Sequence, residues 1–244
     1  MTRHFQNLCG ARVLETRHLL LTKRAVMDVL LAEAIGAVIG PAGLGKTFAI
    51  EHSLREVNCR VTKLRFESRP TMRLVADRLL HEFTGHPGRG SRFAMTQPLI
   101  KELGQRRCLI IIEEAQNLNR ECFEFLRYLH DDESTHFGLV FDGGVGAWDV
   151  ISREPMLESR IYRKVPFARL SEHDVLDLIP SYHPIYEGID RELLLTIDDN
   201  ATQGRLRSWA AFTRTAAEIC RDTGHDRITA EISQSAMALL GSVT

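Results

Sequence analysis

Short apolar runs alternate with amphipathic stretches over the first two thirds of the chain, and each kind predicts a different element. Ile35 to Ile39 reads as a short apolar strand and Gly138 to Phe141 as another, while the fully apolar run Cys108 to Ile112 suits a central strand buried on both faces. Arg60 to Phe66 places Val61, Leu64 and Phe66 in imperfect alternation, and Lys164 to Ala168 reads as a fifth strand. Thr22 to Glu33, Thr47 to Val57, Thr96 to Leu103 and Arg120 to His130 read as helices. After Pro70, Met72, Val75, Leu79 and Phe83 recur every three or four residues and so share one helical face. That helix is expected to stop near Gly85, and His86 to Ser91 reads as an exposed loop. Strands alternating with helices predict a mostly parallel α/β sheet.

The rhythm changes at Ser171, where Ser171-Glu172-His173-Asp174 resembles a capping box. From there the chain reads as helices alone, over 172–179, 190–199, 205–221 and 229–240. The expected organisation is an N-terminal segment (1–24), a five-stranded α/β core (25–170) and a helical C-terminal domain (171–244). No internal repeat or low-complexity tract interrupts it.

Hydrophobic residues at 44% and charged residues at 26% exclude wholesale disorder. A formal net charge of -1 excludes a generally cationic protein, so any nucleic-acid contact has to come from a local patch. The five cysteines (Cys9, Cys59, Cys108, Cys122, Cys220) are scattered with no CxxC pair, which points to reduced thiols. His81, His86, His130, His136 and His173 lack metal-ligand spacing and read as ordinary loop or surface residues. No signal peptide is visible, and the most apolar stretch, 25–40, contains Asp28 and Glu33 and falls short of a membrane span. The expectation is a cytoplasmic chain with no membrane partner.

Gly40-Pro41-Ala42-Gly43-Leu44-Gly45-Lys46-Thr47 fits G-x-x-x-x-G-K-[ST] at every fixed position, between a predicted strand and a predicted helix. Glycines let backbone N–H groups point inward around phosphates, and the following helix presents its positive end to them. Lys46 would reach the β- and γ-phosphates of ATP, and the Thr47 hydroxyl would ligate Mg²⁺. Leu109-Ile110-Ile111-Ile112-Glu113-Glu114 sets paired carboxylates at the carboxyl end of a central strand. Glu113 is assigned to the metal and Glu114 to the base that activates water. The other reading of the pair is two solvated acids opening the next helix.

A local basic excess lies between Lys63 and Arg92. Lys63, Arg65, Arg69, Arg73, Arg78, Arg89 and Arg92 face Glu67, Asp77 and Glu82, seven positive charges against three negative. Arg69 and Arg73, four apart, are expected on one helical face, and with Arg89 and Arg92 they are the candidate DNA contacts. The only aromatic residues nearby are Phe66, Phe83 and Phe93, a pattern that favours non-specific contact with a duplex over stacking on single-stranded bases. A solvated helix face is the alternative. Glu121, Glu124, Asp131, Asp132 and Glu133 form an acidic stretch, read as solvated surface or as a face toward a neighbouring subunit's arginines.

With Glu113-Glu114-Ala115-Gln116-Asn117-Leu118, the two motifs resemble the AAA+ ATPases, and within them the D-E-A-Q-x-L branch. That branch holds the transposition ATPases MuB, TniB and TnsC and the ExeA-type ATPases. The resemblance runs from about residue 25 to the end. It also takes in Pro155-Met156-Leu157-Glu158-Ser159-Arg160-Ile161, like the family's S-R-hydrophobic segment before the fifth strand, and Gly204-Arg205-Leu206-Arg207, like its G-x-x-R in the helical lid.

The resemblance implies a P-loop AAA+ fold with a C-terminal lid. It implies Arg160 as an arginine finger for a neighbouring subunit's nucleotide and Arg207 as a second sensor, with Arg153, Arg163 and Arg205 as nearby competitors. It further implies an ATP-bound ring or helical filament on double-stranded DNA that recruits or licenses a transposase. Two positions depart from the pattern. Glu113 stands where Asp is usual, and Asp142 or a glycine stands where a neutral polar sensor is usual, so turnover is expected to be slow. The competing expectations are a secretion- or signalling-related ATPase acting on protein and a slow-turnover nucleotide-sensing scaffold. A small-molecule kinase finds no acceptor pocket in the sequence.

Overall fold

Three of the five strands follow the apolar runs closely, because a strand buried on both faces leaves no room for polar side chains. The computed structural model describes residues 8–88 and 90–241, apart from the side chain of Arg92. These residues form two compact units: Leu21–Ala42 with Ala49–Phe167, and the described residues up to Leu20 with Gly43–Phe48 and Ala168 onward.

The first unit is built on a sheet of β1 (Ile35–Ile39), β2 (Arg60–Arg65), β3 (Cys108–Glu113), β4 (Phe137–Gly143) and β5 (Ile161–Pro166). Its order is β2-β3-β4-β1-β5 and every pairing is parallel. The helices that precede, connect or flank the strands are α1 (Arg17–Leu31), α2 (Lys46–Ser53), α3 (Met72–Thr84), α4 (Arg92–Leu103), α5 (Arg120–His130), α6 (Ala147–Ser152) and α7 (Pro155–Glu158). α3 begins where the Thr71 hydroxyl accepts the Leu74 N–H at 3.2 Å and ends at Gly85 in the left-handed region, φ 75°. The core joins Ile110, Ile112, Leu139 and Phe141 of the central strands to Val75, Leu79, Leu99, Phe123 and Leu126 of the helices.

β5 starts three residues earlier than its expected Lys164. It is an edge strand paired with β1 alone, and its exposure alternates until Val165, so it has no continuous apolar run to mark it. Pro166, which cannot donate to a ladder, closes it. Arg69 does not share a helical face with Arg73. Pro70 and the Thr71 cap start α3 at Met72, leaving Arg69 ahead of the helix.

The second unit is helical: α8 (Glu172–Tyr182), α9 (Arg191–Ile197), α10 (Leu206–Thr223) and α11 (Ala230–Leu239). The Ser171 capping box forms, with the Ser171 Oγ accepting the Asp174 N–H at 3.2 Å and Asp174 Oδ2 accepting the Ser171 N–H at 3.0 Å. Trp209, Tyr186 and Phe212 fill the centre, and the Tyr186 and Thr213 hydroxyls bond at 2.7 Å. The N-terminal segment joins this unit: the Arg12 N–H donates to the Tyr182 carbonyl at 2.8 Å and Leu14 packs on the core. No helix among the described residues is long and apolar enough to cross a membrane.

Candidate functional site

The phosphate-loop sequence leaves β1 at Gly40. This glycine has φ 146°, and a Cβ there would meet the Phe167 carbonyl oxygen at 2.6 Å. Only glycine fits where the ends of β1, β4 and β5 converge. The Gly40 N–H donates to the Gly143 carbonyl at 3.2 Å, which ties the loop's first residue to the end of β4. Gly43 and Gly45 take φ 84° and 93°, and α2 starts at Lys46. The N-terminus of this helix, with its backbone N–H groups and positive dipole end, has the elements of an anion site.

In the helical unit the lid motif packs directly on this loop. The Arg207 backbone N–H donates to the Gly43 carbonyl at 2.9 Å, and a Cβ on Gly45 would meet Leu206 Cδ1 at 2.9 Å. Arg207 is the second residue of α10 and is exposed, while Arg205 is the residue just before that helix. Asp198 sets up this start. Its buried carboxylate accepts from the Thr202 hydroxyl, from the Gly204 N–H at 2.7 Å and from Trp209 Nε1 at 3.1 Å. Asp198 carries no local signal in the sequence, because its partners Thr202, Gly204 and Trp209 are spread from the end of the irregular turn Asp198–Thr202 into α10.

At the carboxyl edge of the sheet, Glu113 is the last residue of β3, level with Arg65 on β2 and Asp142 on β4. Glu114 follows in the left-handed region, φ 55°, an unusual conformation for a residue with a Cβ. Gln116 Nε2 donates to Glu114 Oε2 at 2.6 Å, and Arg65 Nη2 stands 3.6 Å from Glu114 Oε1. The Gly144 N–H donates to Gln116 Oε1 at 2.8 Å. Asn117 and Asn119 donate to the carbonyls of Phe66 and Pro70, and Asn119 also caps α5 through the Cys122 N–H. Gln116, Asn117 and Asn119 thus lock the segment after β3. In the sequence, only the place of Gln116 and Asn117 within the D-E-A-Q-x-L pattern hinted at it, and Asn119 lies beyond that pattern.

The Thr47 hydroxyl and the Glu113 carboxylate are each a hard oxygen donor of the kind Mg²⁺ takes. Among the described residues no group of three or more His, Cys, Asp or Glu side chains could hold a metal by itself. Asp142 is only 7% exposed at the end of β4, so an acid takes the place expected for a neutral sensor.

Arg160 lies at the other edge of the sheet, just before β5, and donates to Asp131 Oδ1, whose other oxygen accepts from Arg127 at 2.7 Å. The structure therefore does not bring Arg160 to the edge that carries Glu113 and Glu114. Arg163 is held by Asp28 at 2.8 Å, and Arg153 is exposed at the end of α6. The acidic stretch is partly neutralised within the chain, by Arg120 on Glu124 as well as by Arg127 and Arg160 on Asp131.

The basic strip is also thinned. Lys63 is paired with Glu51 at 2.7 Å and Arg65 with Glu114. Arg69, Arg73 and Arg78 are exposed and form no salt bridge among the described residues. Arg89 and the side chain of Arg92 lie outside the described residues. The histidines are less uniform than expected: the His130 ring nitrogens are buried beside Phe137, and burial lowers the pKa of His130, while His136 pairs with Glu33 at 3.1 Å.

In sequence, residues 31–151 match the AAA domain family. No curated protein matches the chain. Among solved structures it is similar to the Aeropyrum pernix ORC2 protein, solved as ADPNP-ADP complexes (16% identity, TM-score 0.70, covering 97% of this chain and 71% of that one). It is also similar to Cdc6p from Pyrobaculum aerophilum (18%, TM-score 0.71, 97% and 70%). A third is the Aeropyrum pernix ORC1 protein in complex with DNA (17%, TM-score 0.60, 94% and 66%). With its parallel β2-β3-β4-β1-β5 sheet, its phosphate loop and this match, the chain has the P-loop AAA+ fold, with a helical part following the sheet.

Proposed function

We propose that the protein is an ATP-binding and ATP-hydrolysing regulator that assembles on double-stranded DNA and there recruits or licenses a transposase. The observation that carries the reading is the junction at the sheet's carboxyl edge, where the phosphate loop is hydrogen-bonded to the end of β4 through Gly40 and Gly143, with Glu113 ending β3 level with β4 and Glu114 next in the chain. Lys46 and the loop N–H groups hold the phosphates, while Thr47 and Glu113 hold Mg²⁺. The ion, when bound, neutralises phosphate charge. Glu114 accepts the proton of the attacking water, and Arg207 contacts the γ-phosphate from the lid.

Arg160, at the opposite edge from its own chain's acids, serves the nucleotide of a neighbouring protomer, so ATP-bound copies associate as a ring or filament. Arg69, Arg73, Arg89 and Arg92 supply non-specific backbone contacts to the duplex. The similar Aeropyrum pernix ORC1 protein was solved in complex with DNA, which supports this reading over an ATPase that acts on protein alone. A cytoplasmic location belongs to the same proposal.

Titrating a labelled duplex with the protein, with and without ATP, across a range of salt concentrations tests the reading. Tighter binding with ATP and a steep salt dependence support it. Salt-insensitive or ATP-independent binding sinks it. A second reading, a nucleotide-sensing scaffold with little turnover, is favoured by buried Asp142 level with Glu113, two acids where one is usual. Equal phosphate release by the wild type and Glu114→Gln would select it.

A further inference from the structure

Gln116 stands at the junction of three functional pieces. Its Nε2 donates to Glu114 Oε2 at 2.6 Å, and its Oε1 accepts the Gly144 N–H at 2.8 Å. One residue before Gly144, the Gly143 carbonyl accepts the N–H of Gly40, the first residue of the phosphate loop, at 3.2 Å. A short path of hydrogen bonds and two adjacent residues therefore joins the loop to Glu114, and the side chain of Gln116 is a link in that path.

The orientation of the amide is not interchangeable. A backbone N–H can only donate and a carboxylate can only accept, so the oxygen must face Gly144 and the NH₂ group must face Glu114. The approach also needs glycines. A Cβ on Gly144 would sit 3.3 Å from Gln116 Nε2, and one on Gly143 would meet the Ala147 Cβ at 2.2 Å. Glu114 is held at φ 55° with its carbonyl accepting the Asn117 N–H at 2.9 Å, so the turn fixes its backbone while the direction of its carboxylate is set by side-chain partners. Arg65 grips the other oxygen at 3.6 Å, too long for a hydrogen bond.

We propose that Gln116 is the positioning residue for Glu114, linking the end of β4 and the phosphate loop to the direction of the base. It is a neutral polar bridge supplied from the segment after β3, in a chain whose β4 ends in Asp142 and Gly143, with Gly144 following. This role rests on the reading of Glu114 as the base.

Two substitutions separate positioning from simple packing. Gln116→Met keeps the length and loses both bonds; Gln116→Glu keeps the acceptor for Gly144 and loses the donor to Glu114. Both are expected to lower kcat about tenfold or more, a part of what an oriented base supplies, while KM and ATP affinity stay within about twofold. Hydrogen exchange at the Gly144 amide should accelerate in Gln116→Met and stay slow in Gln116→Glu. If Gln116→Glu turns over ATP at the wild-type rate, or exchange at Gly144 is unchanged in Gln116→Met, the positioning role is overturned. Glu114→Gln runs alongside: wild-type turnover in that variant overturns the base assignment and the inference with it, whereas its loss beside a fully active Gln116→Glu overturns the inference alone.

Discussion

At Gly40 one hydrogen atom in place of a side chain decides whether the loop can leave the sheet. Gly40→Ala would put a Cβ 2.6 Å from the Phe167 carbonyl oxygen at φ 146°. That combination should cost about 1–3 kcal/mol and lower the melting temperature by several degrees, readable by calorimetry. Removing the Lys46 ammonium is expected to weaken ATP binding about tenfold to a hundredfold, measured by fluorescence titration, with little change in melting temperature. The loop residues were legible because their chemistry is consecutive: one turn of glycines, one lysine, one hydroxyl. Gln116 and Asp198 were not. Gln116 reaches Gly144 across 28 positions, and Asp198 gathers three donors around an irregular turn, so neither makes a local pattern.

Elements were legible in proportion to how long and how uniformly buried they are. β3 and β4 lie in the middle of the sheet with almost every position buried, and α5 has an uninterrupted apolar face, so their runs survive any register. α6 and α7 are six and four residues long, too short to show a helical period, and were missed. α4 begins at Arg92, ahead of its expected start, since Gly88 and Gly90 made the preceding residues look like loop. α8 shows the opposite case, a capping box that was legible and forms. Ser171→Ala should destabilise the helical unit by about 1 kcal/mol in denaturant titration. The hydrogen bonds from the Ser171 hydroxyl and N–H hold the Asp174 carboxyl below its ordinary value. Its folded pKa is therefore below the unfolded one, so this stabilisation is complete above the usual carboxylate range and fades as pH falls through the depressed value. In Asp174→Asn that part of the acid-side loss of stability should disappear.

For the whole molecule, the fold follows from strand and helix alternation, while assembly does not, because a surface that meets another copy looks like any other surface in one chain. Arg160 illustrates the difference: the S-R segment marked it, but its tie to Asp131 is visible only in three dimensions. Arg160→Ala is expected to leave the ATP affinity of the isolated protomer unchanged and to abolish ATP-dependent association and most turnover, a loss on the order of a thousandfold where the finger acts fully. Arg73→Ala should weaken duplex binding evenly across sequences and reduce the slope of log affinity against log salt by about one. The measurement that reaches the central claim most directly is sedimentation velocity of the protein with duplex DNA, with and without a slowly hydrolysed ATP analogue. The account predicts a large, DNA-bound species that forms only with the nucleotide and is lost in Lys46→Ala and Arg160→Ala. Protomers that stay separate with both ligands present, or that assemble equally well without nucleotide, would contradict it.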